Sequence, residues 1–211
     1  MSENTNWLSL FPLNVVLFPD GVLPLKVFET RYIDMVRDCM RRDVPFGVVL
    51  IKSGPEVAGA NPVAEPESVG CLAHIESWDA EQLGLLLLRT EGGQRFRILE
   101  TRRCKDQHLE ARVELLPQSP VASIPPQHQT CADTLKIVIA DINQQCLEKS
   151  GDDFASPFPT VLQLDNAGWV ADRWSEILQT PLKAKQKLLE LDDPRARLQI
   201  IHQYLQQHHI I

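Results

Sequence analysis

Cys71 and His74 stand three residues apart, and His74-Ile75-Glu76 resembles the first half of a zinc-deaminase signature. The second half, Pro-Cys-x-x-Cys, does not occur. On a strand, residues 71 and 74 point to opposite faces, so structural roles are expected for both. His208-His209 reads as a solvated pair. Gly47 to Ser53 has the Lys-Ser of a phosphate-binding loop but lacks the second glycine. Its Val48–Ile51 core is too apolar and β-branched for a loop whose amides must cradle phosphate. No Gly-x-Ser-x-Gly nucleophile elbow occurs. The expectation is therefore no catalytic residue, no metal site and no cofactor.

Other residues suit binding rather than chemistry. If Gln94–Lys105 is one strand, Arg95, Arg97, Arg103 and Lys105 share a face by parity. That face could meet an anionic partner. Glu91, Glu100, Glu110 and Glu114 lie close in sequence, so a solvated, ion-paired face is the preferred reading. Trp78 sits beside Asp79 at an expected hairpin tip, and Phe28 sits where a strand gives way to a helix. Exposed, each is a candidate aromatic anchor for a peptide; packed inward, each belongs to the core.

The elements that must position these residues follow from composition and period. The chain has 211 residues, 44% hydrophobic and 23% charged, which suits one large domain or two small units. The net charge is −7, and both halves divided at Gln118 are acidic. A broad electrostatic grip on nucleic acid is thus disfavoured. Met1–Trp7 lacks the basic region and apolar core of a signal peptide, and Leu85–Leu88 is too short to cross a membrane. The five cysteines are odd in number and widely spaced, as expected of free thiols in a reducing compartment. A cytoplasmic location is the expectation.

Up to residue 118, short period-2 runs punctuated by Pro or Gly dominate; beyond it, helical periods take over. The order predicts an α+β chain. Strands are expected at Leu8–Leu13, Val15–Phe18 and Val22–Phe28, with their prolines marking edges. A helix capped by Thr30 should follow to Arg42, then a strand over Phe46–Ile51 and a long surface loop from Lys52 to Ser68. Val69–Trp78 and Leu83–Thr90 should pair through a turn at Asp79–Gln82. Gly92-Gly93 should turn into Gln94–Cys104, and Leu109–Leu115 should complete a small, partly closed barrel. Helices are expected from Gln127 to Lys149, after Asp165, after Thr180-Pro181 and after Asp193-Pro194.

Phe11-Pro12-Leu13, Val15–Pro19 and Leu23–Tyr32, then Gly70–Ile75, Gly93–Ile98, Lys185–Glu190 and Arg197-Leu198, resemble the Lon protease N-terminal, substrate-binding domain. The resemblance runs in order over nearly the whole chain. It departs at Asp20, where glycine is usual, at Lys26, where histidine is frequent, and at Thr30, where proline is frequent. It implies a β-rich PUA-like lobe over residues 1–118, a pseudo-barrel with one short helix, joined to a C-terminal helical bundle over 119–211. Glu29 and Arg31 match the family's charged pair and read as a structural ion pair or cap. Lon proteases continue into ATPase and Ser-Lys peptidase modules, and this chain ends at Ile211. The resemblance therefore implies a stand-alone LON domain, a non-catalytic module for unfolded or flexible protein segments. The alternative is a PUA-like binder of nucleic acid or an anionic ligand.

Overall fold

The structure, a computed structural model, describes residues 7–54, 64–82, 84–151 and 155–211. The chain divides into two compact units, residues 1–118 and 119–211. The first contains β1 (Leu8–Leu13), β2 (Val22–Val27), α1 (Thr30–Arg42), β3 (Phe46–Ser53), β4 (Glu65–Pro66), β5 (Val69–Gln82), β6 (Leu85–Arg103) and β7 (Leu109–Leu115).

The strand order β1-β7-β6-β5-β3 returns to β1 through a parallel pairing of Leu10–Leu13 with Gly47–Leu50. Five strands therefore close into a ring. Leu10, Val49, Phe96 and Ala111 fill its interior, all completely shielded from water. On the other side of the sheet, Tyr32, Met35, Val36 and Cys39 of α1 pack on Phe11, Phe46, Val48 and Leu88. Phe11 stacks on Tyr32 with ring centroids 4.2 Å apart. Each such buried side chain stabilises the fold by about 1.5–3 kcal/mol.

Closure corrects one expectation about edges. β1 is bonded on both sides, to β3 and to β7, so it is an interior strand. Pro12 forfeits a single donor while its neighbours keep the register. β2 does lie at an edge, since among the described residues it pairs with β6 alone. Val15–Phe18 forms no strand, although Val16, Leu17 and Phe18 are buried.

β6 is one continuous strand of 19 residues and does not turn at Gly92-Gly93. Its register with β5 slips between Ala73↔Gly92 and Cys71↔Arg95, which inserts one extra residue. Before the slip, Leu86 and Leu88 face the α1 layer. After it, Phe96 and Ile98 face the ring interior, though all four numbers are even. Glycine is required here by close approach rather than by a turn. Gly92 exchanges backbone hydrogen bonds with the 20–21 turn, at 2.7 Å from Asp20 N and 2.8 Å to Gly21 O. A Cβ at Gly92 would lie 2.0 Å from the Phe18 carbonyl oxygen.

Local signals shifted at several ends. β5 runs through Gln82, so the hairpin turns after it, at Gly84 (φ 83°), and not over Asp79–Gln82. The expected Lys52–Ser68 loop is shorter at both ends. β3 continues to Ser53 and β4 pairs with it, with Ser53 Oγ donating to Glu65 at 3.0 Å. Pro55, Gly59 and Pro62 of that loop lie outside the described residues. Thr30 is the first residue of α1 rather than its cap; Glu29 flanks it without a side-chain cap bond. Glu29 instead pairs with Arg31 at 2.9 Å, and the guanidinium lies 4.5 Å from the Tyr32 ring centroid.

In the second unit, a 3-10 turn at Pro126–His128 leads into α2 (Gln129–Ser150), followed by α3 (Ala167–Ile177), α4 (Leu182–Glu190) and α5 (Pro194–Gln207). α3 packs against α2, α4 and α5 and is buried from Ala167 through Ser175. Trp174 Nε1 donates to the Cys131 carbonyl at 2.9 Å, tying α3 to α2. Burial of α3 includes Asp172 and Arg173; Asp172 pairs with buried Arg197 at 3.0 Å and Arg173 with Glu176 at 2.8 Å. Unpaired, such charges would cost several kcal/mol each. Asp193 caps α5 as expected, accepting from Arg195 N at 2.9 Å and Ala196 N at 3.3 Å, with Pro194 at the first position. Two other caps move by one residue: Asn166 caps α3 instead of Asp165, and Pro181 precedes α4 instead of Thr180.

Gly92→Ala tests the close approach. It should lower stability by about 1–3 kcal/mol, because the clash is with backbone and cannot relax by rotamer change. Urea denaturation reads the loss; an unchanged midpoint would mean the strand has room to spare.

Candidate functional site

Beyond the ring, β6 carries a three-stranded arm. β2 pairs with one side of residues 86–91 and the outer part of β5 with the other. β3 stops accompanying β5 at Phe46↔Ala73. From His74 onward, β5 pairs only with β6 among the described residues. Here the chain entering β3 diverges toward the end of α1, and a groove of ≈ 320 Å³ opens. One wall is His74, Ile75, Glu76 and Trp78 of β5; the other is Cys39, Met40, Asp43, Val44 and Pro45. An unpaired strand edge thus runs beside a mostly polar trough into which Met40, Val44, Ile75 and Trp78 bring apolar patches.

Trp78 is 56% exposed. It is not at a hairpin tip but mid-strand, opposite Leu88, which in turn is opposite Leu25. Phe28 is 58% exposed and so does not pack in the core. It continues the exposed alternation of Pro24 and Lys26 between buried Leu25 and Val27. The register therefore sets Phe28 and Trp78 on opposite faces of the arm. Sequence reasoning missed the α1 wall of the groove. Residues 39–45 and 74–78 meet only through the fold, and no local pattern announces that meeting.

The groove holds a cysteine and a histidine, the types a thiol nucleophile would need. Cys39 is 4% exposed. Burial, reinforced by the charge of Asp38, pushes its thiol up to about 11. It is protonated at neutral pH, and thiols are weak nucleophiles in that state. Asp38 itself is held low by hydrogen bonding to Arg41 and Arg42. Glu76 pairs with Arg89 at 2.9 Å. Cys71 is fully buried, its Sγ 3.2 Å from the Gly93 carbonyl, while His74 is exposed, so the two form no ligand pair.

The four basic residues do not form one face. Arg95 is 4% exposed and lies opposite buried Cys71, on the α1 side of the sheet. A second slip between Ile98 and Glu100 separates the others. Arg97 is exposed opposite Glu114, whereas Arg103 lies opposite Leu109, which packs toward the ring interior. Lys105 is in the turn after β6. Arg95 and Arg97 keep their shared parity but differ in burial, and the residue inserted between Ile98 and Glu100 inverts the alternation before Arg103. The shared anionic-ligand surface is thereby lost.

In the second unit, a more apolar groove of ≈ 280 Å³ lies between α4 and α5, lined by Leu178, Leu188, Ile201 and Tyr204 among others. No helix of the described residues is long and apolar enough to cross a membrane.

The description "ATP-dependent protease La (LON) substrate-binding domain" matches residues 7–207. The chain belongs to the LON substrate-binding domain family. A Lon N-terminal domain protein from Xanthomonas campestris shares its fold with a TM-score of 0.68 and 31% identity, covering 93% of this chain and 96% of that one. The N-terminal domain of Mycobacterium avium complex Lon protease has a TM-score of 0.62 at 14% identity, covering 96% and 100%. Lon protease 2 of Myxococcus xanthus is 25% identical over 205 residues, which are 94% of this chain but 23% of that protein. Protein cereblon of Gallus gallus is 30% identical over 107 residues, 49% of this chain and 22% of that protein. The chain thus spans about a quarter of the length of these longer relatives, and the part of Lon that it matches is the substrate-binding region.

Native-state alkylation at pH 8 should modify half-exposed Cys146 well before Cys39, with peptide mass spectrometry as the readout. Fast labelling of Cys39 would show a reachable thiolate in the groove and reopen nucleophilic chemistry there.

Proposed function

We propose that this LON domain recognises exposed segments of other proteins in the cytoplasm and makes or breaks no bonds itself. We read its ring and arm, residues 1–118, as a PUA-like lobe, and its helical unit, 119–211, as the accompanying bundle. The observation that carries the proposal is the open β5 edge beside the groove, with Trp78 on its wall. An extended segment can continue the line that β3 abandons, taking backbone hydrogen bonds from β5. Its alternate side chains meet Met40, Val44, Ile75 and Trp78 on one side. Backbone bonding is indifferent to sequence, which suits varied unfolded clients, and the apolar side chains set in the polar trough supply the preference. Phe28, on the opposite face, is a second anchor for longer segments. Family membership supports this reading, because the matched part of Lon is its substrate-binding region.

Binding of unfolded-protein peptides, measured by fluorescence anisotropy, should weaken about thirtyfold in Trp78→Ala, a loss of about 2 kcal/mol typical of a buried aromatic anchor. Equal affinity in the variant would remove the groove from the mechanism. Purified protein should not degrade casein with or without ATP. Turnover that a single substitution abolishes would end the non-catalytic reading.

A further inference from the structure

The turn between β6 and β7 gathers a second set of reactive side chains, away from the groove. Sγ of Cys104, a carboxylate oxygen of Asp106 and a ring nitrogen of His108 lie within 4.8 Å of one another. The turn that carries them is closed by Cys104 N to His108 O and by Gln107 N to Cys104 O, both at 3.0 Å. Gln107 takes the left-handed conformation (φ 71°), which lets three side chains at alternate positions converge.

The ring of His108 points to a missing partner. The residue is 9% exposed. Nδ1 lies 2.7 Å from Asp106 Oδ1. Nε2 is buried and has no hydrogen-bond partner, and Glu110 Oε1 stands 3.8 Å away. No protonation state resolves this. With the proton on Nδ1, Nε2 is a bare lone pair facing a carboxylate. With the proton on Nε2, that donor reaches nothing, and Nδ1 faces Asp106 as a second acceptor. With both protons, Nε2–H is still too far from Glu110 to bond. A buried polar atom left this way costs about 1–3 kcal/mol.

We propose that Cys104, Asp106 and His108 bind a divalent transition-metal ion of the zinc class. A thiolate, an imidazole and a carboxylate form a donor set that favours Zn²⁺ over Ca²⁺ or Mg²⁺. Ligands around tetrahedral zinc stand roughly 3.3–3.8 Å apart, given bonds of about 2.0–2.3 Å. The three donors, all within 4.8 Å of one another, stand near that spacing. On binding, the Cys104 thiol gives its proton to solvent as the sulfur–metal bond forms. The imidazole binds as the neutral ring through one nitrogen, and the other keeps its proton for a neighbouring carboxylate, as is usual around ligated histidines. A water completes the four-coordinate shell.

The surrounding charge fits. Glu110 adds a third negative group, and Arg102 offsets it through a 2.7 Å ion pair. Arg102 is itself held over the Trp7 ring at 4.1 Å. The Cys104 thiolate and the Asp106 carboxylate then balance a dication.

The test uses the full chain, stripped with chelator and titrated with Co²⁺ under visible spectroscopy. A single equivalent should give the intense bands of four-coordinate cobalt and a sulfur-to-cobalt charge-transfer band, and Zn²⁺ should displace both. Cys104→Ser should abolish the charge-transfer band and weaken binding more than about tenfold. His108→Gln should weaken binding comparably, and Cys146→Ser should behave as the parent chain. Cys104→Ser preserves side-chain volume, so it remains decisive if His108→Gln fails to fold by circular dichroism. Absence of a charge-transfer band in the parent chain, or its survival in Cys104→Ser, would overturn the proposal.

Discussion

β6 must serve two hydrophobic layers with one backbone. A strand offers only two faces, and alternation is rigid at period 2. The ring interior and the α1 layer both need large side chains from this strand, at different heights. The extra residue opposite Ala73 and Cys71 solves the problem by inverting the alternation partway along. Everything else depends on this inversion. It puts Phe96 inside the ring, turns Leu86 and Leu88 toward α1, and bends the strand where the 20–21 turn presses against Gly92. The outer part of β5 lacks a second neighbour because the β3 ladder begins only at Phe46, opposite Ala73 and beside the same slip.

The helical unit meets a different constraint. α3 is so enclosed that two charged residues, Asp172 and Arg173, are carried inward with its tryptophans. Arg197 of α5 answers the first and Glu176 the second. The Asp172–Arg197 pair adds little net energy over apolar substitutes, yet it fixes the rotation of α3 against α5 because a charge cannot be left alone, whereas Arg173–Glu176 lies within α3 and satisfies a charge of its own helix. The first acts as a register mark rather than as adhesive.

Much of this was legible in the residues. The amphipathic face of α1, the Asp193-Pro194 start of α5 and the strand at Leu109–Leu115 rest on local chemistry, which tertiary context did not override. The Glu29–Arg31 pair was readable for the same reason. Beyond shifted caps and strand ends, what failed with most consequence was counting along β6. Glycine can mark a turn or a collision avoided, and at Gly92 only the distant Phe18 carbonyl decides between them. The inversion near Leu99 leaves no local trace, so the parity that joined Arg103 to Arg95 and Arg97 misled. Phe28 and Trp78 were visible as candidates, but the groove wall at residues 39–45 was not, because proximity across the fold has no period.

Ring closure has a consequence for how the protein acquires its shape. β1 lies between β3, some 40 residues further along, and β7, about 100 residues further along. During synthesis the first strand must therefore wait for Gly47–Leu50 before its first ladder can form, and for Leu109–Ala111 before its second can. Such distant pairings carry a large loop-closure cost and slow the approach to the native state. For that interval the nascent chain itself presents an unfolded apolar segment of the sort that binds to open sheet edges. A domain that offers such an edge begins its own life as a molecule in need of one.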